Sequence, residues 1–111
     1  MTTFEKIVKA ITPFGYPHEP DEYRGTEKEH WFTYNTAGDK AVLFADNEPI
    51  EAVTDVQVHL FIPRSENYIN LKNRVRRSIY EQGFTFPEVT VINEGDKRHI
   101  IFECSIEEEE F

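Results

Sequence analysis

Between Asp55 and Ile62 apolar and polar residues alternate: Val56, Val58, Leu60 and Ile62 fall on one side, and Asp55, Gln57 and His59 on the other. A strand turns successive side chains to opposite faces, so this run demands a sheet with one buried and one polar face. The closing run Ile100, Phe102, Cys104 and Ile106 repeats the same period. Amphipathic helices are the natural cover for the apolar face, and the chain has two.

The first helix carries Phe4, Ile7, Val8 and Ile11 at the spacing of one helical face, with Thr2 and Glu5 placed as a capping box. Pro13 disfavours helical geometry at Thr12, and Gly15 follows, so this helix stops there. The second helix is expected over residues 66–82, with Ser65 as N-cap and Glu66 near the positive end of the helix dipole. Tyr68, Leu71, Val75 and Ile79 form its core stripe. Gly83 fits the left-handed position that ends a helix, which turns Phe84 back towards Ile79.

Further strands are expected at residues 30–35 and 41–45, joined as a hairpin by the turn-rich Thr36-Ala-Gly-Asp-Lys40, with Asn47-Glu-Pro49 making the next turn. The last two, at residues 88–93 and 98–106, are connected by Glu94-Gly-Asp-Lys97, where Gly95 supplies the backbone angles of a tight turn. Residues 14–29 show no apolar period and are rich in Pro, Gly and acid, which predicts a long acidic loop. Tyr16 and Tyr23 in that loop either cover the edge of the core or anchor a partner. Residues 107–111 form an acidic tail, expected to fray. The order α-β-β-β-α-β-β describes one α+β domain with an antiparallel or mixed sheet and helices packed on one face. At 111 residues the chain is long enough for one core and too short for two.

Composition excludes several classes. The apolar fraction of 39% suits a globular core, and no apolar run approaches the length of a membrane helix. No basic-then-apolar signal segment follows Met1, so the chain is expected to stay in the cytoplasm where it is made. The net charge of −9 opposes sequence-independent binding to nucleic acid, which depends on Lys and Arg releasing counterions. A single cysteine, Cys104, rules out an intrachain disulfide and a cysteine-based zinc site. Its phase with Ile100, Phe102 and Ile106 makes it a small core residue.

No catalytic signature is present. His18, His30, His59 and His99 lack the spacing that sets two ligands on one helix. His59 and His99 would share a sheet face if their strands were neighbours, and Asp55 or Glu103 could then join them around a metal. No motif fixes such a site, and neither metal nor cofactor is expected. No serine or cysteine lies in a strained elbow, and the glycines are scattered rather than gathered in a phosphate loop.

The charge is unevenly spread, with acids gathered in residues 19–29 and Arg64, Lys72, Arg74, Arg76 and Arg77 on or beside the second helix. One flank of that helix carries Ile69, Asn73, Arg76 and Tyr80, and Arg74 and Arg77 lie on the outer side. Tyr and Arg are residue types that interfaces favour. A subunit interface is therefore expected to join this flank to Glu19, Asp21, Glu22 and Tyr23 of another copy, the opposite charges permitting head-to-tail contact.

The layout Trp31-Phe-Thr-Tyr34, Ala41-Val-Leu-Phe-Ala-Asp-Asn47, Val56-Gln-Val-His-Leu60, helix, Gly83-Phe84 and His99-Ile-Ile-Phe-Glu103 resembles the tail-terminator, or tail-completion, proteins of long-tailed bacteriophages. The likeness covers most of the chain and implies a non-enzymatic virion assembly protein. Such proteins form rings, commonly hexamers, that cap the finished tail tube and present a surface to the head-side connector. The resemblance thus implies as partners other copies of the chain, a tail-tube protein and a connector protein, with DNA passing through the ring without specific binding. It places the protein in the host bacterial cytoplasm during assembly and then in the tail or neck of the virion. Other neck or minor tail proteins share this texture, and a general protein-binding adaptor or a small enzyme are the alternative readings.

Overall fold

The computed structural model describes residues 1–45 and 48–108, and between residues 40 and 51 the backbone alone. Helix α1, Thr3–Ile11, starts as its capping box requires. Thr2 Oγ1 accepts from the Glu5 N–H and the Glu5 carboxylate accepts from the Thr2 N–H, each at 3.2 Å. These bonds hold the Glu5 carboxyl below its usual range. A 3₁₀ turn over Thr12–Phe14 takes Pro13 in its first turn, and Gly15 closes it with φ +78°.

The rest of the chain forms β1 (His18–Pro20), β2 (Trp31–Ala45), β3 (Glu48–Pro63), α2 (Ile69–Glu81), β4 (Glu88–Glu94) and β5 (Lys97–Glu108). Among the described residues the five strands make one mixed sheet in the order β1-β2-β3-β5-β4, in which only β1 runs parallel to its neighbour. This is the expected α+β fold. Val56, Val58, Leu60 and Ile62 are buried beside Phe32 and Tyr34 of β2 and Ile100, Phe102, Cys104 and Ile106 of β5. Both helices cover that face, with Ile7, Ala10 and Ile11 from α1 and Val75 and Ile79 from α2 in the same core. The helices meet where Ser78 Oγ donates to the Ala10 carbonyl at 2.6 Å. No helix among the described residues is long and apolar enough to cross a membrane.

The count of strands agrees with the sequence reading, yet two are assembled differently. Residues 36–40 are not a turn: β2 continues through them, pairing Thr36 with Val56 and Gly38 with Asp55 across a register shift. A β-bulge absorbs the extra residue, so the glycine that signals a turn locally marks an irregular strand instead. Thr54 Oγ1 donates to Asp39 Oδ1 at 2.6 Å beside this shift. The missing strand comes from the supposed loop, where β1 pairs His18, Glu19 and Pro20 with Phe32, Thr33 and Tyr34. Three residues are too few to show a period of two.

Helix α2 begins three residues later than its sequence signal. Ser65 does not cap it, and Asn67 Oδ1 accepts from the Ile69 N–H at 3.0 Å instead. The preceding segment is held elsewhere: the Arg64 N–H donates to the Asp96 carbonyl at 2.9 Å, and Arg98 reaches the Arg64 carbonyl at 2.9 Å while lying 4.3 Å from the Tyr68 ring. Both Glu66 oxygens are engaged by His30 Nε2. Tertiary contacts have outcompeted the local cap. At the far end Gly83 adopts φ +100° and Phe84 is buried, as the sequence requires.

Of the tail, Glu107 and Glu108 are paired with Val53 and Ala52 of β3, and Thr3 Oγ1 donates to Glu108 at 2.7 Å. The strand extends because β3 starts early enough to partner it; residues 109–111 lie outside the described residues, as does Asn47 of the expected turn, whereas Glu48 and Pro49 open β3. β5 pairs with β3 only from Ala52 onward, so residues 41–45 and 48–51 run on as a two-stranded arm. The arm accounts for overall extents of 54 × 25 × 24 Å and a radius of gyration of 15.2 Å, against about 13 Å for a compact chain of this length.

Candidate functional site

Three surfaces are distinctive. The first lies at the β4 edge, where the chain leaving α2 passes Phe84 and reaches β4 through Phe86 and Pro87. Tyr80 and Phe86 are each 46% exposed and meet edge to face, their ring centroids 5.5 Å apart. Arg76 lies 4.3 Å from the Phe86 ring and its Nε–H donates to the Pro87 carbonyl at 2.6 Å. Arg77 lies 5.8 Å from both the Tyr80 and Phe86 rings. Among the described residues neither arginine has a carboxylate partner. Phe86 was not among the expected interface residues, because the chain turns at Gly83 and no helical period links it to Tyr80.

The expected residues divide. Ile69, also 46% exposed, and the exposed Asn73 continue the Arg76–Tyr80 stripe along α2. Arg74 points elsewhere: it lies 5.4 Å from the Phe14 ring on the α1 side, so it does not join Arg76 and Arg77. Its position follows from the packing of α2 against α1, which the helical wheel alone cannot show.

The second surface is the acidic segment at the opposite edge, between β1 and β2. Glu19 is spent within it, its carboxylate accepting the Arg24 N–H at 2.5 Å. Asp21 is exposed in the left-handed region at φ +63°, and its N–H donates to the Tyr34 carbonyl at 2.8 Å. Glu22 is exposed, with Arg24 at 3.6 Å. The Tyr23 ring stacks on Trp31 at 5.1 Å, and Tyr16 stacks on His30 at 4.7 Å, so both tyrosines cover chain of their own molecule. Asp21 and Glu22 are left facing outward.

The third surface is the sheet face that the helices leave open. A run of rings crosses it: Tyr23 on Trp31, Trp31 on Phe61 at 5.1 Å, and Phe61 on His99 at 4.2 Å. His99 Nε2 lies 2.7 Å from His59 Nδ1. The outer nitrogens are also engaged, His59 Nε2 with Asn35 Oδ1 at 2.9 Å and His99 Nδ1 with Glu94 Oε1 at 2.9 Å. Burial and the neighbouring His99 lower the His59 pKa to about 4. The shared face of these histidines was legible from strand phase; their contact required the β3–β5 register, which sets Phe61 opposite His99 and His59 opposite Ile101.

The candidates for chemistry are otherwise engaged. Asp55 accepts from Ser105 Oγ at 2.5 Å, whereas Glu103 is exposed further along β5, opposite Gln57 and Glu88 in the strand register and away from the two histidines. Glu27, Glu29 and His30 each bring a ligand atom within 4.8 Å of the others, but His30 Nε2 is held by Glu66 and Glu27 accepts the Glu29 N–H. Cys104 is buried, and burial pushes its thiol up to about 12, far from a reactive thiolate at neutral pH. No protein-family model matches the chain, and no curated protein matches it.

Proposed function

We propose that this chain is a phage virion assembly protein, a tail terminator that forms a ring on the finished tail tube and supports joining to the head. The placement of opposite charges at opposite edges of the sheet carries this reading. Arg76, Arg77, Tyr80 and Phe86 stand beside β4, while Asp21 and Glu22 follow β1 at the other edge. Two different, complementary patches on opposite sides of one molecule make a heterologous contact, which closes into a ring when the rotation allows. Tyr and Arg at the centre of such a patch are the usual anchors, and segregated charge sets the register between copies.

The arm beyond the sheet supports the same reading. A two-stranded ribbon is marginal alone in water, so a neighbouring subunit is its natural cover. The protein acts by shape, without catalysis, cofactor or metal, in the host cytoplasm and then in the virion. Its other partners are the tube and the connector. The net charge of −9 lets DNA slide through the ring without adhering.

Electron microscopy of lysates made with and without the protein tests this reading. Its loss leaves tails of irregular length that do not join filled heads, and the pair Arg77→Glu and Tyr80→Ala reproduces the defect in a folded protein. Tails of uniform length attached to heads in its absence would refute the role.

A further inference from the structure

We propose that the head-to-tail contact, on which this inference rests, is a strand addition: β1 of one copy pairs antiparallel with the outer edge of β4 of the next, so that one sheet runs on from molecule to molecule. Exposed apolar side chains gather at that edge. Apart from Met1, the large ones among the described residues are Ile69, Tyr80, Phe86 and Ile92, all on β4, on the segment entering it or on the α2 flank that carries Arg76. The backbone of β4 is open there as well. Glu94 and Lys97 flank a two-residue turn and are strand partners, so they exchange both backbone bonds, and the antiparallel alternation gives Ile92, Thr90 and Glu88 the same inward role. The N–H and C=O groups of Val89, Val91 and Asn93 therefore point away from the sheet. Residues 88–94 carry no proline, lysine or bulge, the usual protections of an edge. Pro87 lacks an N–H and its carbonyl is held by Arg76, so the open edge starts at Val89.

The outer edge of β1 is shorter. The Phe32 N–H donates to the Pro17 carbonyl at 2.9 Å and the Asp21 N–H donates to the Tyr34 carbonyl at 2.8 Å, which turns Pro17, Glu19 and Asp21 towards β2 and leaves His18 and Pro20 facing outward. Pro20 has no N–H and its carbonyl accepts from Glu22 at 2.7 Å, so His18 is the residue of β1 with both backbone groups to offer. Direction, pleat and charge then select the partner. Because β1 is parallel to β2 and each later pairing is antiparallel, β4 runs opposite to β1. A copy repeated head to tail in the same orientation thus sets its β1 antiparallel to β4. The outward residues also share a face: His18 lies opposite Phe32 and Val91 opposite Ile100, both core residues, so pairing His18 with Val91 keeps the helices of both copies on one side.

The register follows from the same residues. With His18 opposite Val91, Pro17 covers the exposed Ile92 and Glu19 meets Thr90, and the chain leaves β1 at Asp21 and Glu22 beside the Pro87 end of β4, where Arg76 and Arg77 stand. A shift of two residues one way sets Glu19 against Glu88 and Pro20 against Pro87. The same shift the other way sets Pro17 against Glu94 and carries Asp21 and Glu22 past the arginines. Two β4 edges paired about a two-fold axis through Val91 would set Glu88 against Glu94 twice, and like charges directly opposite are destabilising.

Disulfide trapping and amide exchange on the purified full chain test the pairing. Pro17 and Ile92 would form a non-hydrogen-bonded pair with Cα atoms about 4.5 Å apart, within reach of a disulfide. A mixture of Pro17→Cys and Ile92→Cys, oxidised at high protein concentration, is expected to give a dimer bridged between residues 17 and 92 while the buried Cys104 stays reduced, and neither variant alone is expected to dimerise. Adding Arg77→Glu to the Ile92→Cys copy should cut the yield about fivefold, and Glu22→Arg in the Pro17→Cys copy should restore it. In the unsubstituted chain the His18 and Val91 amides should gain protection together as concentration rises. Absence of the bridge, absence of that joint protection, or charge reversal without rescue would overturn the pairing. So would Ile92→Cys bridging to itself, or protection of Val91 without His18, either of which would mean that β4 pairs with β4. Tail length in lysates is a separate readout, so the pairing can fail while the terminator role stands, and the role can fail while the pairing stands.

Discussion

Reversing the charge at Arg76 should cost stability, whereas the same change one residue later should not. Arg76 donates its Nε–H to the Pro87 carbonyl at 2.6 Å and lies 4.3 Å from Phe86, thereby holding the entry to β4 against α2. A hydrogen bond from a charged donor contributes about 1.5–3 kcal/mol, and a partly exposed cation–π contact about 0.5–1 kcal/mol. With Arg76 half-buried, we expect Arg76→Glu to lose about 2–3 kcal/mol. For a chain of 111 residues, an unfolding entropy of about 2.1 cal/mol/K per residue converts this to a fall in Tm of roughly 9–13 °C. Arg77 is exposed and makes no hydrogen bond among the described residues, so Arg77→Glu should cost less than about 0.5–1 kcal/mol. Thermal and urea unfolding of the two variants, at a concentration where the protein is monomeric, gives the comparison. Equal losses would refute the idea that Arg76 works inside the molecule and Arg77 outside it, and a loss confined to Arg77→Glu would reverse it. If the roles are as stated, Arg77→Glu is the clean probe of association.

Gly83→Ala should destabilise the protein by about 1–2 kcal/mol in chemical denaturation, because φ is +100° there. The nearest atom to an added Cβ is Ile106 Cδ1 at 3.9 Å, so a larger loss would point to a packing conflict the geometry does not contain. Cys104 should resist a thiol reagent in the native state and react at once on unfolding; rapid labelling of folded protein would contradict its burial. His59 in the unfolded chain takes up a proton below about pH 6.5, but in the folded chain only near 4. Stability should therefore fall as pH drops from 6.5 towards 4, and His59→Asn should flatten that part of the profile; an unchanged slope would show that His59 is not the group responsible.

The parts of the fold that were legible in the sequence are those whose signal is local. The period of two in residues 55–62 and 100–106, the capping box at Thr2 and Glu5, and the glycines at 83 and 95 each specify a face, a start or a stop through a few neighbouring residues. Signals of the same kind misled where a distant partner decided the matter. Gly38 and Asp39 read as a turn but lie in a bulged strand because β3 pairs alongside them, and Ser65 lost its cap because Arg64 and Glu66 were claimed by Asp96, Arg98 and His30.

The candidate surfaces divide in the same way. Helical period set Ile69, Asn73, Arg76 and Tyr80 on one flank, and strand phase set His59 and His99 on one sheet face, so composition and periodicity determined which residues face outward together. Only the tertiary structure added Phe86 to Tyr80, drew Arg74 away to Phe14, turned Tyr23 onto Trp31 and closed the two histidines to 2.7 Å. The physical reason is that a side chain's direction follows from its own backbone, whereas its partner depends on strand order, register and the packing of elements far apart in the chain.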